Sequence, residues 1–321
     1  MNSTVYSEEF DAWSNDFGSS AVGYYILSML TVVAIWILCN NTIILYVIKK
    51  HQHLRSYSST LVASLLFSDL VVAVYCIIYT LYYLTSPHSE QEQRFLCMAT
   101  NFFGLLGYTL SGFCLAAAII ERYLNICHPF LYERIMSWRM VAALIVVPYG
   151  LTFTLVLVCI ADNIYQDRAI CGPAHNVKFE YLVFLNILAV LYITFLIVLT
   201  VRMLLVVRRH QKAIQQQHQG NGDEVKEHNK SKTLGLMTLF LFVSYFPLTI
   251  FLLVLAIRED LQTSSYFAMI GDGIVTTFSM SNNVMNSVVY GWRDREVKDI
   301  LKRMLLKRKT NKVEPINLQQ Y

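Results

Sequence analysis

Two opposite charges stand side by side at the end of a long apolar run, in the stretch AIIERYLNICHPFLYERIM (residues 118–136). The apolar residues stop at Glu121 and Arg122, and Tyr123 follows directly. One interpretation is that the pair only marks the place where an apolar segment meets a polar environment. The other is that the arginine forms a functional contact, and the rest of the sequence has to decide between the two.

Two aspartates lie inside apolar runs, where charge is expensive. Asp69 stands in the middle of one run, and Asp272 stands nearer the end of another. An ionisable group at the centre of a bilayer costs about 2.5–3.5 kcal/mol on insertion scales, so both are functional candidates. The alternatives are a polar anchor between helices for Asp69 and a wet position at the rim for Asp272.

The sequence lacks the common residue patterns of catalytic sites and metal sites. The apolar runs contain no histidine, and the chain has no HExxH, GxSxG or P-loop motif. We therefore predict that the protein is not an enzyme and has no histidine-based metal site. A channel or transporter would need charges along a path, and only the two aspartates qualify.

The elements that position these residues are predicted to be membrane-spanning helices. Hydrophobic residues make up 55% of the 321-residue chain and charged residues 15%, against about 25% charged in a soluble domain. Seven apolar runs reach the roughly 20 residues that a spanning helix needs. These spans 1 to 7 are residues 21–48, 59–84, 96–120, 140–161, 181–201, 233–257 and 265–290.

Basic residues predict the orientation of the chain. Residues 1–24 contain four acidic residues and no Lys or Arg, whereas the loops after spans 1 and 5 and the tail are basic. By the positive-inside rule the N-terminus is outside and the tail is cytoplasmic. We expect a multi-pass protein of the plasma membrane. Its partner in this setting is the lipid bilayer, and we do not expect it to bind nucleic acid. The predicted parts are an extracellular N-terminus (1–22), a seven-helix domain (23–292) and a cytoplasmic amphipathic helix with the tail (293–321).

Two cysteines and one sequon lie on the predicted outer side. Cys97 begins span 3, and Cys171 lies in the loop between spans 4 and 5. Because that compartment is oxidising, a Cys97–Cys171 disulfide is predicted, with two free thiols as the alternative. The sequence Asn2-Ser3-Thr4 is a glycosylation sequon.

Taken together, these motifs resemble the rhodopsin-like (class A) G-protein-coupled receptors over essentially the whole chain. The resemblance is carried by Asp69 in SLLFSDL, by the 24 residues from Cys97 to Glu121, by Pro247 in FVSYFP, and by Asn286 to Tyr290 as NSVVY. It implies an all-α fold of seven transmembrane helices followed by a short amphipathic helix. It also implies a heterotrimeric G protein as partner.

The resemblance gives the charged pair a role as a switch. In the resting state Arg122 would pair with Glu121 and with Glu227 at the inner end of span 6. Pro247 would supply a hinge, since a proline inside a helix removes a hydrogen bond and kinks it. The switch and G-protein-coupling residues are predicted to be Glu121, Arg122, Tyr123, Glu227, Pro247, Asn286 and Tyr290.

The resemblance also implies an allosteric sodium ion, with no other cofactor. Its predicted ligands are Asp69, Ser111, Asn282 and Asn286, whose oxygen atoms suit a hard cation. Some positions depart from the family pattern. Ser287 replaces a proline in span 7, span 5 has no proline, and span 4 lacks its usual tryptophan.

The predicted ligand site lies within the helix bundle and is apolar and aromatic, with Asp272 at its rim. Gly104 stands where amine receptors keep an aspartate, which disfavours a monoamine held in that way. Such a lining suits a small, mostly neutral organic ligand. The predicted lining is Gly104, Leu105, Tyr108, Tyr245, Leu248, Phe251, Leu252, Asp272 and Thr276.

Two segments are similar to the odorant-receptor group within this family. They are RYLNICHPFLYERIMS after span 3 and YGWRDREVKDILKRML after span 7. This similarity implies an odorant-type chemoreceptor coupled to a stimulatory G protein. The alternative is a class A receptor for another small molecule, a lipid or a peptide.

Overall fold

The computed structural model describes residues 21–85, 90–161, 179–217, 222–257, 265–293 and 295–310, with side chains given for most of them. Every regular element in these ranges is helical. The α-helices are α1 (Ala21–Lys50), α2 (Tyr57–Thr85), α3 (Glu90–Cys127), α4 (Pro129–Ile135), α5 (Trp138–Ala161), α6 (Phe179–Gln217), α7 (Gly222–Ile257), α8 (Ser265–Arg293) and α9 (Arg295–Thr310).

Six of the helices are apolar and long enough to cross a bilayer, judged by length and composition over the described residues. These spans are residues 23–50, 57–84, 94–127, 138–158, 183–209 and 237–254. The seventh long helix, α8, carries more polar residues on the face that points into the bundle. Hydropathy alone is therefore a weaker criterion for recognising it as a membrane span. Its length of 29 residues is nevertheless that of the other spans.

The seven long helices form a closed bundle. Contacts run from α1 to α2, from α2 to α3, from α6 to α7, from α7 to α8, and from α8 back to α1. Helix α3 occupies the middle and also contacts α5, α6 and α7. The predicted all-α seven-helix fold is confirmed, and α3 is placed so that its polar residues meet side chains from several helices.

The core of the bundle is apolar, and so is much of its outer surface. Leu65, Leu115 and Leu196 are completely buried around α3. Val146 and Leu191 are more than half exposed on the outside. An exposed apolar surface of this extent is unfavourable in water and favourable against lipid tails, so it agrees with a multi-pass membrane protein.

Helices α2 and α3 approach closely at Gly107. A Cβ atom at this position would lie 2.8 Å from Cγ2 of Val72 and 3.2 Å from its Cα and N atoms. Because two of these are backbone atoms, neither helix can yield by rotating a side chain. The glycine therefore fixes how near α3 comes to α2, and with it the position of the polar residues one turn further along.

The two shorter helices are α4, which lies between α3 and α5 in the chain, and α9, which follows α8. Helix α4 begins with Pro129 in its first turn, where a proline is well tolerated. Helix α9 follows α8 and packs against α8 and α1. Val297 on α9 is completely buried, and a Cβ at Gly291 would touch Ile44 of α1 and Leu301 of α9. The predicted helix after the seventh span is therefore present, and its packing surface is apolar.

Candidate functional site

A buried carboxylate links three helices in the middle of the bundle. Asp69 on α2 has no exposed surface. Ser111 on α3 donates its hydroxyl to Oδ1 of Asp69 at 2.9 Å. Asn286 on α8 donates its amide to Oδ2 at 3.1 Å and approaches Oδ1 at 3.4 Å. The acceptor of these hydrogen bonds is a carboxyl group in an apolar interior, where a polar group without hydrogen bonds is most unfavourable.

Asn283 is the residue of this cluster that sequence reasoning missed. Its Oδ1 lies 3.2 Å from the hydroxyl of Ser111. The predicted residue was its neighbour Asn282, which is completely buried and makes no hydrogen bond within the described structure. The two asparagines precede Asn286 by three and four residues, and both spacings put side chains on one face of a helix. Helical spacing permitted either, and the rotation of α8 places Asn283 next to Ser111. The role of Asn282 as an ion ligand stays a prediction.

Some buried polar atoms around Asp69 make no hydrogen bond within the described part of the chain. They are both amide atoms of Asn41 and Oδ1 of Asn286. Asn41 lies near Asp69. Unpaired polar atoms are costly inside a bundle, so a small ion or water held among these oxygens would be stabilised.

The donor set fits a monovalent cation better than a divalent one. Asp69 is the one carboxylate among the described side chains of this cluster, and its neighbours offer neutral amide and hydroxyl oxygens. No group of three or more His, Cys, Asp or Glu side chains able to bind a metal occurs among the described residues. One negative charge with neutral oxygens matches the predicted sodium ion, which stays a prediction.

At the other end of α3, the charged pair is buried. Nε of Arg122 lies 3.5 Å from Oε2 of Glu121, and their side chains are 7% and 1% exposed. The hydroxyl of Tyr132 on α4 donates to Oε1 of Glu121 at 2.9 Å. Burial, and the nearby Glu121 carboxylate, raise the pKa of Tyr132, so its hydroxyl stays protonated and remains a donor. Sequence reasoning missed Tyr132, because nothing in FLYERI distinguishes it from a surface tyrosine.

Several predicted residues lie outside the described set. They are Asn2, Cys171, and the side chains of Glu227 on α7 and Asp272 on α8. Cys97 is disulfide-bonded. Its pairing with Cys171, and the contact between Arg122 and Glu227, therefore stay predictions.

The remaining switch residues lie on α3, α7 and α8. Tyr123 is half-buried and stacks edge-on against His128, with ring centroids 5.6 Å apart. Pro247 lies inside α7. Tyr290 lies near the C-terminal end of α8 and is buried, with 7% of its surface exposed.

The predicted ligand site is centred on two tyrosines. The rings of Tyr108 on α3 and Tyr245 on α7 meet edge to face with centroids 5.8 Å apart. The hydroxyl of Tyr108 lies 3.0 Å from that of Ser279 on α8. The hydroxyl of Tyr245 is buried and has no hydrogen-bond partner in the described part of the chain. Three helices of the predicted pocket thus converge on one aromatic contact.

The other predicted lining residues are buried or half-buried on the same three helices. Phe251 on α7 is 8% exposed and packs against Gly271 on α8, where a side chain would collide with its ring. Thr276 is 5% exposed. The remaining positions, buried or intermediate, are Gly104, Leu105, Leu248 and Leu252.

A row of tyrosines on α2 extends this aromatic centre. The ring of Tyr75 lies 6.1 Å from Tyr108, and Tyr79 follows at 5.8 Å from Tyr75. Tyr83 is 4.9 Å from Tyr79. Their spacing of four residues in YCIIYTLYY was a usable signal, because residues four apart share one helix face. Sequence reasoning missed this row.

Two further tyrosines hold the outer helices to the centre of the bundle. Tyr192 on α6 donates its hydroxyl to the carbonyl of Gly112 on α3. Tyr149 on α5 donates to the carbonyl of Ser64 on α2 at 3.1 Å. In both cases a tyrosine hydroxyl joins an outer helix to the backbone of a neighbouring helix.

Comparison with known proteins identifies the relatives of this architecture. Residues 40–290 match the family model described as 7 transmembrane receptor (rhodopsin family). The chain is 25% identical to melatonin receptor type 1B-B of Danio rerio, over 87% of this chain and 82% of that protein. It is 20% identical to neuropeptide Y receptor type 6 of Mus musculus, over 88% and 80% respectively. Identity to prokineticin receptor 2 of Rattus norvegicus is 27%, over 44% of this chain and 39% of that protein.

Proposed function

The chain belongs to the rhodopsin family of seven-transmembrane receptors, and we propose that it binds a ligand in the outer half of its helix bundle and activates a heterotrimeric G protein. The proposal places the ligand against Tyr108 and Tyr245 and the G protein at the end of α3 that carries Arg122. The protein is a receptor rather than an enzyme, in keeping with its family.

The observation that carries this proposal is the buried ion pair at the end of α3. Arg122 is only 6% exposed, and its described ionic partner is the adjacent Glu121. A buried guanidinium is costly unless it is paired, so the pair holds the arginine in place. Separation of the pair would release five N–H donors at the inner surface, where a partner protein could bind them.

The mechanism is a shift between two arrangements of the bundle. A ligand that contacts Tyr108 and Tyr245 changes the packing of α7 against α3, and can favour the active arrangement only by binding it more tightly. Pro247 lies two residues beyond Tyr245 and removes one backbone hydrogen bond from α7. The segment of α7 that precedes Pro247 can therefore swing away from Arg122 while the segment that follows it keeps its contacts.

The class of ligand that we propose is a small organic molecule other than an odorant. The relatives reported above are melatonin, neuropeptide and prokineticin receptors, and they give no support to the odorant resemblance. The relative named for melatonin aligns with most of this chain. The described centre of the site consists of tyrosine rings and apolar side chains, which suit a flat, mostly apolar molecule.

A peptide ligand is the second candidate. It is favoured by the similarity to neuropeptide Y receptor type 6 over most of both chains. A peptide would bind at the mouth of the bundle as well as in its centre, and would depend less on Tyr108.

The proposed setting is the plasma membrane, with the N-terminus outside and the basic loops and tail in the cytoplasm. Positive-inside bias supports this orientation. Under it, the Tyr108–Tyr245 contact faces the extracellular half and Arg122 faces the G protein.

The test is ligand-stimulated nucleotide exchange. Cells expressing the full chain would be treated with melatonin and related indoles, a neuropeptide panel and an odorant panel, and GTP-analogue binding to each G-protein class would be measured in their membranes. We expect an indole-like small molecule to stimulate exchange and Tyr108→Ala to abolish the response, while exposed Tyr24→Ala leaves it intact. A response to peptides that survives Tyr108→Ala would favour the second candidate, and a response to odorants alone would overturn both.

A further inference from the structure

Thr200 on α6 and Thr238 on α7 form a hydrogen bond between two helices. The hydroxyl of Thr200 donates to Oγ1 of Thr238 at 3.2 Å. The two residues are 5% and 3% exposed. The bond therefore lies inside the bundle, at the interface where α6 packs against α7.

The direction of this hydrogen bond differs from that of many other threonines in the long helices. A threonine within a helix commonly donates to the carbonyl four residues earlier in its own helix. Threonines of this chain that do so include Thr109, Thr154, Thr194, Thr249 and Thr277. Thr200 has one hydroxyl hydrogen and directs it to α7 instead. Its hydroxyl thus joins two helices rather than stabilising one turn of α6.

The residues around this bond are apolar and buried. Leu196 and Met203 lie one turn before and one turn after Thr200, and neither has exposed surface. Leu241 lies one turn after Thr238 and is 3% exposed. Separation of the two threonines is unfavourable in this interior, because no water replaces the lost partner. Each hydroxyl can return to a carbonyl of its own helix, so the net cost of separation is modest.

Thr238 lies on the part of α7 that precedes Pro247. The two residues are nine positions apart, which corresponds to about 14 Å along a helix axis. A swing of this segment about Pro247 carries Thr238 away from Thr200 on α6. The hydrogen bond between them therefore opposes the swing.

We propose that the Thr200–Thr238 hydrogen bond is a latch that holds the segment of α7 before Pro247 in the resting arrangement. It is separate from the Glu121–Arg122 pair, which lies within α3. Loss of the latch shifts the population toward the arrangement in which the segment has moved away from Arg122. The inference rests on the proposed function, since the swing of α7 is the movement that the latch opposes.

The test combines two measurements on the full chain in lipid nanodiscs. Amide hydrogen exchange in residues 237–246 reports the opening of this segment without any G protein. Ligand-free nucleotide exchange on purified G proteins of each class reports the active arrangement. Thr200→Val and Thr238→Val each remove one hydroxyl and keep nearly the same shape. Thr200→Ser keeps the hydroxyl, and Thr194→Val removes an exposed hydroxyl that bonds within α6.

We expect either valine variant to raise both rates about threefold, in keeping with the strength of hydrogen bonds between membrane helices. The double valine variant should equal either single variant, because both changes remove the same bond. Thr200→Ser and Thr194→Val should match the native chain.

Faster amide exchange without nucleotide exchange in any variant would support the latch and count against the proposed G-protein function. Unchanged amide exchange in residues 237–246 of the valine variants would overturn the latch. An equal acceleration in α2 would also overturn it, because the substitutions would then have loosened the whole bundle.

Discussion

Single side chains determine where polar contacts form along α3. Ser111 joins Asp69 to Asn283, and Tyr132 joins α4 to Glu121. The sequence identified Asp69, because an ionisable residue in an apolar run must face a partner. Ser111 was predicted only from the resemblance to the receptor family. The sequence did not distinguish Asn283 from Asn282, since that choice depends on the rotation of α8, which packing against α1 and α7 sets.

The Asp69 cluster predicts sensitivity to sodium. Purified receptor should melt roughly 3 °C higher in sodium chloride than in the same concentration of choline chloride, because an ion bound only to the folded state stabilises it. Asp69→Asn removes the single carboxylate and should abolish the difference. Asp299→Asn, at an exposed position, serves as the control and should retain it. A sodium shift that persists in Asp69→Asn would place the ion elsewhere.

Whole helices are held in register by a few close contacts between backbones and by tyrosine hydroxyls. The apolar runs predicted the seven long helices, since length and hydrophobicity are local properties of a sequence. Which helices touch, and where, was not predictable, because it depends on sites such as Gly107 against Val72 and Tyr192 against Gly112. The short helix α4 was missed for a similar reason, as it is too short for a periodic pattern.

Gly107 provides a direct test of the approach between α2 and α3. Gly107→Ala should destabilise the protein by about 1–3 kcal/mol, because the added methyl group meets the backbone of Val72 and both helices must move. Gly150→Ala is the matched control. A Cβ there meets no atom within 4 Å, so the change should be neutral or stabilising. Thermal unfolding in detergent would measure both, and equal effects would contradict the described packing.

Two buried tyrosine hydroxyls in neighbouring helices should behave differently. Tyr192→Phe removes a hydrogen bond between α6 and α3 and should cost about 1 kcal/mol. Tyr245→Phe removes a buried hydroxyl that has no partner in the described structure, and should cost nothing or stabilise slightly. The comparison requires only melting temperatures. A larger loss for Tyr245→Phe would show that its hydroxyl is bonded in the folded protein.

The molecule as a whole is a closed bundle with its aromatic centre and its buried ion pair on the same central helix. Tyr108 and Arg122 lie 14 residues apart on α3, which corresponds to about 21 Å along a helix axis. A ligand bound at Tyr108 and a G protein bound at Arg122 would therefore not touch the same residues. We expect communication between the two proposed sites to use a rearrangement of α7 relative to α3, as in a two-state receptor.

The central claim is that the buried Glu121–Arg122 pair, held by Tyr132, restrains a receptor that can activate a G protein. The most direct measurement is ligand-free nucleotide exchange on purified G proteins of each class by the full chain in nanodiscs. Tyr132→Phe removes the bond to Glu121 and should raise this exchange about tenfold. Tyr24→Phe, at an exposed position on α1, is the control and should leave exchange unchanged. Arg122→Ala should abolish exchange. Folded Tyr132→Phe protein with exchange no higher than the native chain, or full exchange in Arg122→Ala, would contradict the account.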